Sequence, residues 1–209
     1  MSEHEMIIAA AGLPADREFS EEFLRLRELG LEWIETYYDR DHMRRAADWV
    51  LHLDPDASEP LIFAAMTHDL ERSVPGGPVL DKVNMRWDDV EYNTAHCERS
   101  VEVVSRWLAD HDAAEDFIEG IRVPIREHEF GGSPIGDVMQ AADSISFLEC
   151  NGPLVANWVL NGDCSLEKGH EKLHWMRDRV RLERARPIAA AQCAAVLAEV
   201  DRRLAEARD

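Results

Sequence analysis

Apolar residues recur at three- and four-residue steps along nearly the whole chain, and no stretch alternates apolar with polar residues between turn signals. That period belongs to helices with one buried face, so the expected fold class is all-α, a bundle of about seven to eight helices. The first covers about 18–30, with Phe19, Phe23, Leu26 and Leu29 on one side. The second, 39–53, carries Met43, Ala46, Ala47, Val50 and Leu51, has His42 in its first turn, and stops at Asp54-Pro55. The third opens at Ser58-Glu59-Pro60, where proline is tolerated, and places His68 and Asp69 in its last turn. Further helices are expected over about 90–109, 113–129, 135–149, 166–184 and 187–207, with Pro124 kinking the fifth. The long connection 73–89 contains Pro75, Gly76, Gly77 and Pro78 and reads, in its functional form, as a lid over a pocket.

A chain of 209 residues fits one domain, 1–209, with a motif-bearing core at 38–150 and the helices 18–30 and 165–207 packed on it. Lys and Arg number 23 against 42 Asp and Glu, a formal charge of −19 that repels a nucleic-acid backbone. Cys97, Cys150, Cys164 and Cys193 form no C-x-x-C pair, which argues for a reducing, cytoplasmic setting rather than a disulfide framework or a zinc knot. The stretch Met1 to Leu13 lacks a basic leader, and no run approaches about 18 apolar residues, so neither secretion nor a membrane span is expected.

Six metal-ligand-type residues punctuate the helices in the order His42, His68 with Asp69, His96, His128 and Asp143. Imidazole and carboxylate together suit Fe, Mn or Zn better than Mg alone, and an aspartate between two ions can bridge them. His68-Asp69 ends the apolar run Leu61 to Met66, where a buried charge needs a partner. Asp143 sits among Ala141, Ala142, Ser144 and Ile145, as a ligand or a helix-packing hydrogen-bond acceptor. In isolation His42 reads as a solvated first-turn residue, while for His96 and His128 an ordinary half-buried histidine is the lesser reading. The second His-Asp pair, His111-Asp112, lies at a polar helix junction and is read as a decoy, while His4, His52, His170 and His174 are surface or packing residues. Arg44, Arg45, Arg72 and Arg99 each lie within four residues of a candidate ligand, placed to hold an anion or to pair with neighbouring acids.

The segments Asp41-His42-Met43-Arg44-Arg45-Ala46, Thr67 to Arg72, Ala95 to Ser100, Arg126-Glu127-His128 and Ala141-Ala142-Asp143 resemble the successive motifs of the HD-domain superfamily of metal-dependent phosphohydrolases. The resemblance covers about 38–149 and is closest to the binuclear version. It implies His42, His68, Asp69 and Asp143 on one ion, His96 and His128 on a second, and Asp69 bridging. The implied cofactor is two divalent transition-metal ions, Fe or Mn first, then Zn, Co, Ni or Mg. Position 72, commonly Lys in the family, is Arg here, which keeps the charge but removes a proton donor. The intervals between motif histidines and the last aspartate are 26, 28, 32 and 15 residues. The short last step is similar to the nucleotide-cleaving hydrolases, whereas the mixed-valent diiron oxygenases of the superfamily, acting on hydroxylated or phosphonate substrates, usually place that aspartate farther on.

The expected activity is hydrolysis of a small nucleotide or other phosphate ester by metal-activated water, with the diiron oxygenase as alternative and a non-catalytic binding module disfavoured by the intact ligand set. Asp69, Arg72 and Glu71 are the expected catalytic residues, with Glu127 a second candidate relay. Arg72 is the first-choice phosphate clamp, and Arg99, Lys82 and Arg86 are weaker ones. The expected partner is a small anionic substrate, not a nucleic-acid polymer or a membrane. The Ala-rich last helix leaves a homodimer open. Lys172 and Arg179 reach the pocket if the late helices close it, though such helical charges are usually solvated.

Overall fold

The computed structural model describes residues 12–207, and the expectation for Met1 to Ala11 falls outside them. Among the described residues there are nine α-helices and no strand: α1 Glu21–Glu35, α2 Arg40–Leu53, α3 Glu59–Thr67, α4 Val90–Asp110, α5 Glu115–Glu127, α6 Pro134–Cys150, α7 Val155–Leu160, α8 Leu166–Asp178 and α9 Arg186–Glu206. Short 3₁₀ turns at Leu70–Ser73, Gly152–Leu154 and Glu183–Ala185 join them. None of the described helices is long and apolar enough to cross a membrane.

Hydroxyl and carboxylate caps set many of the helix starts. Ser20, Ser58, Asp89, Ser133 and Ser165 each accept a hydrogen bond from a first-turn N–H, satisfying donors that the helix itself cannot. Pro60 and Pro134 occupy first-turn positions where no N–H is needed. Pro124 lies inside α5 without ending it.

α6 is the centre of the bundle and packs against α2, α5, α8, α9 and α3. Every residue from Val138 to Leu148 is buried, so this helix is apolar all round apart from Gln140, Asp143, Ser144 and Ser146, whose polar atoms must find partners inside the protein. α3 is buried from Leu61 to Thr67. Core helices therefore carry most of the polar residues discussed below.

Three boundaries differ from the sequence expectation. α1 continues to Glu35 because Gly30 is a contact point and not a stop: a Cβ there would meet Met66 Cε at 2.8 Å. α3 ends at Thr67, one residue before His68, and Asp69 adopts φ −101°, ψ 0°, between the helical and extended basins. α8 ends at Asp178 rather than near 184, so Arg179 leaves the helix toward the bundle interior, and the short α7 lies where the sequence predicts no helix. Ile145 on α6 is fully buried, and Ile145→Ala should lower stability in urea unfolding by about 2–5 kcal/mol. Leu24→Ala, at a residue 45% exposed, should cost less than about 1 kcal/mol.

Candidate metal centre

α2, α4 and α6 deliver His42, His96 and Asp143 from their buried faces, and the C-termini of α3 and α5 deliver the rest. Those two termini share one construction. His68 and His128 are the C-cap residues, and each donates Nδ1–H to a carbonyl three residues back, Ala65 O at 3.0 Å and Ile125 O at 2.6 Å. Each thereby satisfies a carbonyl the helix end leaves free. Each is also followed by a carboxylate, Asp69 or Glu129, that turns to the same interior.

The other two imidazoles are oriented the same way. His96 Nδ1 lies 2.7 Å from Glu71 Oε1, an acceptor when ionised. Ser146 gives its one hydroxyl proton to Asp143 O at 3.0 Å, so its oxygen accepts from His42 Nδ1–H at 2.9 Å. All four Nδ1 atoms are thus engaged, and all four Nε2 atoms face inward.

Asp143 Oδ1 lies 3.2 Å from His42 Nε2 and 3.3 Å from His68 Nε2. Asp69 Oδ1 lies 2.9 Å from His96 Nε2, 3.9 Å from His128 Nε2 and 4.0 Å from His68 Nε2, between the two groups of imidazoles. His96 and His128 bring their Nε2 atoms within 3.2 Å. Two lone pairs at that distance repel unless a proton or a metal ion shares them. His68 Nε2 is buried and faces the Asp143 and Asp69 carboxylates, where a proton or a metal ion must sit between nitrogen and oxygen. The clusters that could hold a metal ion are His42, His68 and Asp143; His68, Asp69 and His128; His96, His128 and Glu129; and Asp39, His42 and Asp69. These buried nitrogen and carboxylate donors suit a first-row transition ion.

Charge is tightly balanced. Burial alone would raise the Asp143 carboxyl, but the Arg179 guanidinium, with His42 and His68, holds it well below the usual carboxylate range. Arg179 also pairs with Glu129 and donates to Ser144 Oγ at 2.8 Å. For Asp69, Arg72 and His68 likewise outweigh burial. Burial pushes His68 down, yet Asp69 and Asp143 carry it up to about 9. Burial dominates at His128, which falls to about 4.

A cleft of about 650 Å³ opens beside these groups, lined in part by Asp69, Arg72, Lys82, Glu129, Asp143, Lys172 and Arg179. Arg72 donates to Tyr92 Oη at 2.9 Å, and its Nε lies 3.2 Å from Asp69 Oδ2. Lys82 reaches the cleft from the 74–89 connection, which forms one wall. Arg86 does not: it is exposed and paired with Asp88 at 2.7 Å. Neither does Arg99, which donates to Pro75 O at 2.8 Å and faces Glu71 Oε2 at 3.6 Å. Glu71, expected as a catalytic carboxylate, is only 1% exposed and braces His96, and Glu127 accepts from Ser133 at the start of α6. Arg44 and Arg45 are held by Glu35 and by Asp48 and Glu149. His111 stacks on Trp107 at 3.9 Å and belongs to none of the clusters found among the described residues.

Sequence reasoning missed Glu129 and Asp39 and left Lys172 and Arg179 unassigned. The available signal for Glu129 was its place after a histidine at a helix end, the same place Asp69 holds.

No family of proteins, no curated protein and no solved structure matches the chain. The helical architecture and the His/Asp clusters are compatible with an HD-like fold. In chelator-treated protein at about pH 6, well above the pKa of about 4, nitrogen NMR should find His128 neutral, protonated on Nδ1 and bare on Nε2. A proton on Nε2 at that pH would contradict the arrangement.

Proposed function

We propose that this chain is an HD-type binuclear metal-dependent phosphohydrolase cleaving a small nucleotide or other phosphate ester. The observation that carries the reading is the convergence of four oriented Nε2 atoms with Asp143 and the intervening Asp69. His42, His68 and Asp143 would hold one ion, His96 and His128 the other, with Asp69 between them. When bound, such a pair of ions acidifies water toward a nucleophile at neutral pH and neutralises phosphoryl oxygens.

The protein's own groups supply the remainder. Glu71 and the Ala65 and Ile125 carbonyls keep the imidazoles in one tautomer. Arg179 holds Asp143 ionised and aimed inward. Arg72 lines the cleft as a permanent cation that cannot give up its proton, so its part is to bind a phosphoryl oxygen rather than to shuttle a proton. The cleft is lined by five carboxylates, Asp39, Asp69, Glu71, Glu129 and Asp143, and by four cations, Arg72, Lys82, Lys172 and Arg179. Two divalent ions turn this slight negative balance clearly positive. An anionic substrate is therefore attracted locally despite the net charge of −19.

A panel of nucleotides and phosphate esters with added Mn or Fe should give phosphate release, lost together with metal content in His68→Ala and Asp69→Ala. Arg72→Met should keep the metal and lower kcat/KM by about 100-fold. No release from any substrate, with dioxygen uptake by the iron-loaded protein instead, would replace this reading with the diiron oxygenase.

A further inference from the structure

The cleft has a second pole. Lys172 on α8 points its ammonium at three rings, with Nζ 4.3 Å from the Trp175 centroid, 4.7 Å from Phe147 and 5.3 Å from Trp87. Among the described residues it has no ion-pair or hydrogen-bond partner. Lys82 is in the same position across the aromatic cluster: its Nζ lies 4.2 Å from the Trp158 centroid, again with no carboxylate partner among the described residues. Lys168, which also approaches Trp87, differs in being paired with Glu171 at 3.2 Å.

Ring faces attract a cation but give an ammonium no acceptor for its three N–H groups. Burial outweighs the pull of Glu129 and Asp143 and lowers Lys172 to about 7, so its charge is poorly supported from within. An ammonium so placed at a cleft wall has N–H donors left for an anion that enters the cleft.

Phe147 fixes how far this pole lies from the metal centre. One edge of its ring environment is His42, at 6.3 Å between centroids, and another is Lys172. A single aromatic side chain thus separates the two poles, and Trp158, 6.4 Å from Phe147, and Trp87 extend the apolar wall.

We infer that the cleft selects a small phosphate ester whose organic part lies along Phe147 and carries a second negative charge, bound by Lys172 with Lys82 beside it. This rests on the proposed phosphohydrolase reading and narrows its substrate class. Arg72 and the metal ligands serve the phosphoryl end. Lys172 then determines which ester is taken, and a neutral organic group leaves its ammonium unpaired.

The test is calorimetric binding to the manganese-loaded protein with paired probes: para-carboxyphenyl phosphate against phenyl phosphate, and phosphoglycolate against ethyl phosphate. The carboxylate member of at least one pair should bind about tenfold tighter, the gain of one charge-assisted hydrogen bond. Lys172→Met should abolish that preference, and Lys172→Arg should restore most of it, which separates loss of charge from misfolding. Equal affinity within both pairs in the wild type, or a preference that survives Lys172→Met, would overturn the assignment of Lys172. Failure of all four probes to bind would overturn the substrate class inferred here, whereas the phosphohydrolase reading falls only with absence of phosphate release from the nucleotide and ester panel, so the two failures are distinguishable.

Discussion

Four imidazoles can share one interior only if each has its Nδ1–H satisfied elsewhere, and this is the constraint on which the centre depends. Ala65 O, Ile125 O, Glu71 and Ser146 supply those acceptors, two from helix ends, one from a buried carboxylate and one from the central helix. The consequence is electrostatic: inward-facing nitrogens, with ionised Asp69 and Asp143 among them, form a nest that protons, arginines or metal ions must balance. Arg72 and Arg179 meet part of that demand by pairing with the same two aspartates. A buried carboxylate with neither an arginine nor a metal ion beside it would take up a proton.

The bundle and the centre share the same residues. α6 is buried all round, so Asp143, Ser144 and Ser146 can be tolerated only as members of a satisfied network. α3 and α5 both stop at a histidine, and stopping there lets the next carboxylate turn inward rather than follow the helical rotation of about 100° per residue. The connection 74–89 is tied down close to the centre, because Arg99 grips Pro75 O and a Cβ on Gly77 would collide with the Glu71 carboxylate. Glu71 therefore links the orientation of His96 to the wall of the cleft.

Much of this was legible in the sequence. Helical spacing identified the fold class and most of the long helices, and the order of histidines and aspartates picked out six residues that the fold brings together. What was not legible depends on geometry beyond the helical repeat. Glu129 follows a helix cap, where residue spacing no longer tells direction. Arg179 is buried because α8 ends early, and Lys172 is held at the cleft wall by Trp87 and Phe147 from other elements together with Trp175 on its own helix. Conversely, Arg86 and Arg99 lie close in sequence to the motifs yet are taken up by Asp88, Pro75 and Glu71, since neighbourhood along a chain does not fix which side of an element a residue occupies.

The most direct measurement is anomalous X-ray diffraction from crystals of the manganese- or iron-loaded protein. Two peaks roughly 3.5–4 Å apart are expected, one among His42, His68 and Asp143 and the other at His96 and His128, with Asp69 reaching both. A single peak, or peaks away from these Nε2 atoms, would contradict a shared two-ion centre.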